Sequence, residues 1–355
     1  MVLRLGPGGA TNRGMTLVPA RARALGLACG RLVPGRLNRI SDVPGVTVGH
    51  TTLVNGDIRT GVTAIRPHGG DVFRDRPLAA SHVLNGFGKS VGLMQVDELG
   101  QIGTPILLTN TLSVGTCATA LIRRAIAENP GIGRQTSTVN PLVGECNDGF
   151  LNDIQALAVT EGDALAALDD CTDAFEVGAV GAGAGMSCFG FKGGIGSASR
   201  QLTLDGLGFH LGTLVLANFG RAGDLTLPDG RVVAPPAAPT PERGSVIVVL
   251  ATDVPLDHRQ LQRVIRRAGA GLARVGSFYG HGSGDVFVGF TTANRTPHDA
   301  KADILPLRAI AESRIDRLFE AAAEATQEAV LDALAAAPDT IGRAGHFRPG
   351  LAGLL

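Results

Sequence analysis

Apolar and polar residues first alternate with a period of two between Ile40 and Phe73, in VTVGHTTL and TGVTAIRP. Side chains of a strand point to opposite faces in turn, so this pattern predicts two strands. Asn55-Gly56 between them supplies a hairpin turn, and Pro67-His68-Gly69 a second turn beyond. Ile106 to Thr109 is another apolar run, followed by small polar residues Asn110, Thr111 and Ser113. From Cys117 to Ala127 the period lengthens to that of a helix, with Arg123 and Arg124 outward and Glu128-Asn129-Pro130 as its stop.

Val177 to Gly196 is dense in glycine and leads into Thr213 to Ala217, which reads as a buried strand. Leu225 to Arg243 then holds Pro228, Pro235, Pro236, Pro239 and Pro241. Such a segment cannot form a regular helix or a central strand and is expected as an exposed loop. Ser245 to Ala251 follows at once as a β-branched strand. Leu256 to Leu272 reads as a helix with Leu261, Val264, Ile265 and Ala268 on one face, and Val286 to Phe290 as a strand. Leu305 to Ala337 closes the chain as one or two helices with the stripe Ile310, Ile315, Leu318, Phe319 and Ala322. Strands in two runs, each followed by helices, point to two stacked sheets with helices outside them.

Composition narrows the function. With 355 residues and 44% hydrophobic content the chain can bury a large core without staples. Lys plus Arg and Asp plus Glu both total 32, and that balance argues against nucleic acid, whose binders neutralise phosphate with a basic surplus. Arg263, Arg266 and Arg267 read as a solvated helix face. Fifty glycines imply tight turns and closely packed backbones. Cys29, Cys117, Cys146, Cys171 and Cys188 form no CxxC pair and are odd in number, so reduced thiols are expected, with no disulfide framework or zinc site, and a cytoplasmic setting.

Arg21 and Arg23 interrupt the apolar run that begins at Met15, which excludes a signal sequence there. Residues 1–20 read as a disordered extension or a misassigned start, with Met1 and Met15 as the alternatives, and 21–355 as one catalytic domain. Val177 to Phe191, an uncharged stretch rich in Gly and Ala, is too short to span a membrane. No membrane partner is expected.

The candidate chemistry lies where the proline-rich loop ends in Gly244 and Ser245 opens a buried strand. Glycine lacks a Cβ, so its carbonyl can sit exposed in a strained geometry. Attack by the Ser245 hydroxyl on that carbonyl, then hydrolysis, would leave a serine with a free α-amine. That amine, with an ordinary pKa of ~7.7–8.0, is the base a serine nucleophile needs. Taken alone, the same junction is also what a plain strand start looks like. Glycines at 181, 183, 185 and 190 miss the phosphate-loop pattern, since Phe191 stands where lysine is required and Lys192 comes one residue late. The histidines show no HExxH, so neither metal nor other cofactor is expected, and His281 reads as a surface or core histidine.

Several motifs change the weight of that junction. RARALGL, ISDVPGVTVGH, GVTAI, TNTLSVGT, PLVGECNDGFLND, VGAGAGM, FKGGIGSAS, VLANFG, RGSVIVVLATDVPL and HGSGDVFVGFTTANR occur in this order from Arg21 to Arg295. The chain thereby resembles the L-aminopeptidase/D-amidase-esterase and β-peptidyl aminopeptidase family. The resemblance implies an α+β, four-layer αββα sandwich, similar to N-terminal-nucleophile hydrolases but with distinct connectivity. It implies cleavage between Gly244 and Ser245 into an α chain 1–244 and a β chain 245–355. These would stay associated, several αβ heterodimers assembling into a homo-oligomer, a tetramer of heterodimers. By the same likeness Ser245 is the nucleophile, and Ser283 and Asp285 orient it and relay its proton. Asp285 is shorter than the glutamate of some members. Asn218 would donate to the oxyanion, and Glu145 would hold the ammonium of a small peptide, amide or ester substrate, with Cys146 beside it at a variable position. Two readings compete: an acyltransferase of the ornithine-acetyltransferase type, which exposes threonine rather than Ser245, and an uncleaved, non-catalytic oligomeric scaffold.

Overall fold

The computed structural model describes residues 20–236 and 244–355; the extension up to residue 19 and the end of the proline-rich segment, with Pro239 and Pro241, lie outside the described residues. Two large sheets are built from β1 (Thr47–Asn55), β2 (Ile58–Arg66), β3 (Asp75–Gly86), β4 (Ile106–Asn110), β5 (Leu142–Cys146), β6 (Gly194–Leu204), β7 (Leu207–Asn218), β8 (Ser245–Thr252) and β9 (Gly284–Pro297). The first has the order β1-β2-β4-β5 and the second β3-β9-β8-β7-β6. The β4–β5 and β8–β9 pairs are parallel, and the remaining neighbours are antiparallel. β1 and β2 form the expected hairpin, with Asn55 paired to Ile58.

The two sheets face each other through one apolar layer, in which Ile65, Ile106 and Leu108 meet Leu216, Ile247 and Val249. Helices α2 (Val114–Glu128) and α3 (Glu161–Asp169) cover the outer face of the first sheet through Cys117, Leu121 and Leu168. Helices α4 (His258–Ile265), α5 (Ala268–Arg274) and α6 (Asp316–Ala336) cover the second. The short α1 (Leu93–Leu99) packs beside β3. The result is the αββα sandwich. On β8, Val246, Val248 and Leu250 face helices while Ile247, Val249 and Ala251 face the other sheet. A strand buried on both sides explains the continuous apolar run.

Three elements differ from the sequence reading. The expected single helix over Leu256 to Leu272 is broken after Ile265, and α5 restarts at Ala268. The break lets Gly271 lie against α6, where a Cβ would stand 2.5 Å from the Ala323 carbonyl oxygen. Residues 305–311 are not helical, although helix was expected from Leu305. Pro306 disfavours a helical Leu305, and Asn294 of β9 satisfies the backbone instead, accepting from Arg308 N at 3.1 Å and donating to Arg308 O at 2.6 Å. The proline-rich segment is not wholly exposed: Leu225–Thr226 pairs with Val232–Val233, and Leu225 and Leu227 are buried in the core.

Helix α6 is buried nearly all round and carries acidic residues at successive turns. Asp332 pairs with Arg21 at 2.6 Å, Glu328 with Arg23 at 2.6 Å, and the fully buried Arg200 lies 2.9 Å from both Glu324 and Glu328. The segment from Arg21 to Cys29, apolar enough to suggest a leader, thus belongs to the folded body, with Leu27 and Cys29 in the core.

Candidate active site

Ser245 is the first residue of β8, and its two neighbours are fixed by register. Asn218, the last residue of β7, pairs opposite it, and Gly284, the first residue of β9, lies alongside on the other flank. The Gly244 carbonyl accepts from Gly284 N at 3.2 Å. A Cβ at Gly244 would meet the Asn218 carbonyl oxygen at 2.1 Å, so no larger residue fits in this backbone path.

Strand alternation sends the Ser245 side chain toward the other sheet, as for Ile247 and Val249. There the Cys146 thiol at the end of β5 lies close to it. Burial pushes that thiol well above its ordinary value, the nearby Glu145 charge adds to the rise, and the proximity of the Ser245 hydroxyl opposes it. Its sulfur also approaches the Leu216 carbonyl at 3.6 Å. A neutral, enclosed thiol is a poor nucleophile.

Glu145, next to Cys146 in β5, is buried; one carboxylate oxygen accepts from Lys89 N at 2.7 Å and the other from the Thr111 hydroxyl. Ser283 and Asp285 are fully buried, and the Ser283 hydroxyl donates to Asp285 Oδ1 at 2.7 Å. Asp285 is the register partner of Val246, on the helix-covered side of the sheet. Ser283 and Asp285 therefore flank Ser245 along the adjoining strand rather than facing it across a cleft. Tyr279 is near Asp285: burial, reinforced by the Asp285 charge, pushes its hydroxyl up to about 12.

The Asn218 amide is gripped from two sides. Its Oδ1 accepts from Ser187 N at 2.8 Å and its Nδ2 donates to Asn147 O at 3.0 Å. An amide NH₂ carries two hydrogens, and this geometry assigns one of them. The residues that grip Asn218 and Glu145 were not singled out from sequence, because backbone donors leave no side-chain signature. Thr111 stands among the small polar residues after Thr109, whereas Lys89 contributes only its backbone N–H. His281 is exposed, as a surface histidine would be. Among the described residues no cluster of three or more His, Cys, Asp or Glu is arranged to hold a metal, and no helix is long and apolar enough to cross a membrane.

Known proteins resemble this chain in sequence and fold. The model of peptidase family S58 matches residues 38–348. The β-peptidyl aminopeptidase BapA of Sphingosinicella microcystinivorans is 36% identical, covering 92% of this chain and 88% of its own length. A β-aminopeptidase from Burkholderia sp. superposes with a TM-score of 0.86 at 40% identity, covering 94% of this chain and 96% of that one. The L-aminopeptidase D-Ala-esterase/amidase of Ochrobactrum anthropi, described as a prototype of the serine aminopeptidases and a new variant of the Ntn hydrolase fold, gives 0.85 at 35% identity over 93% and 95%.

Proposed function

The chain belongs to peptidase family S58 and is an aminopeptidase/amidase, and on that footing we propose that Ser245, freed by cleavage of the Gly244–Ser245 bond, is its nucleophile. The observation that carries this reading is the meeting of Gly244–Ser245, Asn218 and the Ser283–Asp285 pair at one end of three adjacent strands. In the first step the Ser245 oxygen adds to the Gly244 carbonyl carbon, and its proton passes to the departing amide nitrogen as the C–N bond breaks. Water then hydrolyses the resulting ester, leaving a Gly244 carboxylate and an N-terminal serine. In the mature enzyme the amine takes the hydroxyl proton as that oxygen attacks the substrate carbonyl, and later gives it to the leaving group.

Asn218 donates its second amide hydrogen to the oxyanion, an interaction worth on the order of 3 kcal/mol in comparable hydrolases. Ser283 and Asp285 orient the Ser245 terminus, and Glu145 holds the substrate ammonium, which selects small peptides, amides or esters with a free amino end. β8 and β9 lie between β3 and β7, so the fragment 245–355 supplies inner strands to a sheet whose flanks come from the other fragment. That interleaving supports αβ heterodimers that persist after cleavage. Exposed Val83, Leu84, Phe87 and Met94 support their further assembly into a homo-oligomer, and five cysteines with no CxxC pair among them support a cytoplasmic setting. No observation favours the acyltransferase or scaffold readings.

N-terminal sequencing of the purified, active protein tests the reading. Two fragments are expected, the second starting at Ser245, with Ser245→Ala remaining one inactive chain. Full activity in an unbroken polypeptide would refute it.

A further inference from the structure

Lys192 ends the uncharged run that began at Val177, and its side chain is completely buried. Its Nζ donates to three carbonyls: Gly183 O at 2.8 Å, Met186 O at 3.0 Å and Gly193 O at 2.8 Å. An ammonium has three hydrogens, and each is used. The second of these bonds reaches the site. Met186 C=O and Ser187 N–H belong to one planar peptide group, and that N–H is the donor to Asn218 Oδ1. A cation on the oxygen of this peptide fixes the plane and strengthens its N–H as a donor. On the opposite side Asn147 O receives Asn218 Nδ2, and the next residue, buried Asp148, supplies the charge facing Lys192.

We propose that Lys192 is a positioning residue: through the Met186–Ser187 peptide its buried ammonium sets the orientation in which Asn218 presents its amide to the reacting carbonyl. The inference rests on the reading of Asn218 as oxyanion donor. Burying a lysine is costly, and the burial lowers its pKa to about 7 while Asp148 and Cys188 oppose the fall. A turn with three inward carbonyls needs a donor there, and a methionine of similar volume would leave them unpaired.

The test is a double-mutant cycle with Lys192→Met and Asn218→Ala, assayed on an aminoacyl p-nitroanilide per mole of processed chain, with folding checked by circular dichroism. Lys192→Met is expected to lower kcat roughly 10- to 100-fold, no more than the roughly 10²- to 10³-fold lost when an oxyanion donor itself is removed, and to leave KM within about threefold. Added to Asn218→Ala it should cost no more than about twofold, because the two act as one unit. Wild-type kcat in folded Lys192→Met, or losses that multiply, would overturn the proposal. Wild-type kcat in Asn218→Ala would instead overturn the oxyanion assignment on which it rests. Should Lys192→Met not fold, Lys192→Arg keeps the cation but shifts its donors; the same kcat loss at unchanged KM is expected, and undiminished kcat refutes the proposal.

Discussion

The Cβ position of Gly244 lies 2.1 Å from the carbonyl oxygen of Asn218, so the residue before Ser245 and the strand that faces it are packed backbone against backbone. Gly244→Ala must push these strands apart, at about 1–3 kcal/mol. Because the displaced group is the carbonyl of the proposed cleavage site, self-cleavage should slow by at least roughly tenfold. A processing time course by denaturing electrophoresis reads this directly. Cleavage at the wild-type rate would show that the close packing has no part in it.

Asp285 has its Oδ1 committed to Ser283. Asp285→Asn keeps the shape and removes the charge, so kcat should fall by roughly 10²-fold, in the range of general acid–base contributions. Single-turnover assays on processed enzyme check it. An unchanged kcat would confine the pair to holding the strand end together.

Glu145 accepts from Lys89 and Thr111 and retains lone pairs for a further donor. Glu145→Gln should raise KM for substrates with a free amine roughly 10- to 100-fold while leaving self-cleavage near its normal rate, since in the proposed reading the substrate ammonium is the cationic partner of this carboxylate and the amide can still accept from Lys89 and Thr111. Equal losses in turnover and processing would assign Glu145 a structural role.

The Glu328 carboxyl is lowered from its ordinary value. Burial alone would raise it, but the Arg23 hydrogen bond, the Arg200 charge and the Asn38 hydrogen bond prevail. A lowered folded-state pKa contributes stability that is present above the unfolded value of about 4.3 and is lost as pH falls through the folded one. Asp332, raised by burial, works in the opposite direction. Glu328→Gln leaves Arg200 and Arg23 without their shared partner, so it should cost about 3–5 kcal/mol at neutral pH and much less in acid. Thermal melts across pH 3 to 8 check both halves; a penalty independent of pH would exclude the ionic contribution.

Much of the fold was legible because its signals are local. The hairpin over β1 and β2 follows from period-two alternation around Asn55-Gly56, and β8 from a β-branched run buried on both faces. The junction at Gly244–Ser245 could be read because a glycine, a serine and the proline-rich segment before them have individual chemical meanings. β3, with Pro77 near its start and an exposed far end, and the broken helix at Arg266–Arg267 carry no such signal; neighbours decide them.

The sequence by itself determined which residue types are available: a serine that follows a glycine, an asparagine at a strand end, an acid after a serine and a glycine. Their distances could not be read from it, since Asn218, Ser245 and Gly284 belong to three strands joined by long connections and meet only through hydrogen-bond register. The tertiary structure alone placed the Cys146 thiol against Ser245, the Ser187 and Asn147 backbone around Asn218, and a buried lysine behind them. Backbone donors and acceptors are the same in every residue. Only the folding of the chain decides which of them point at a side chain.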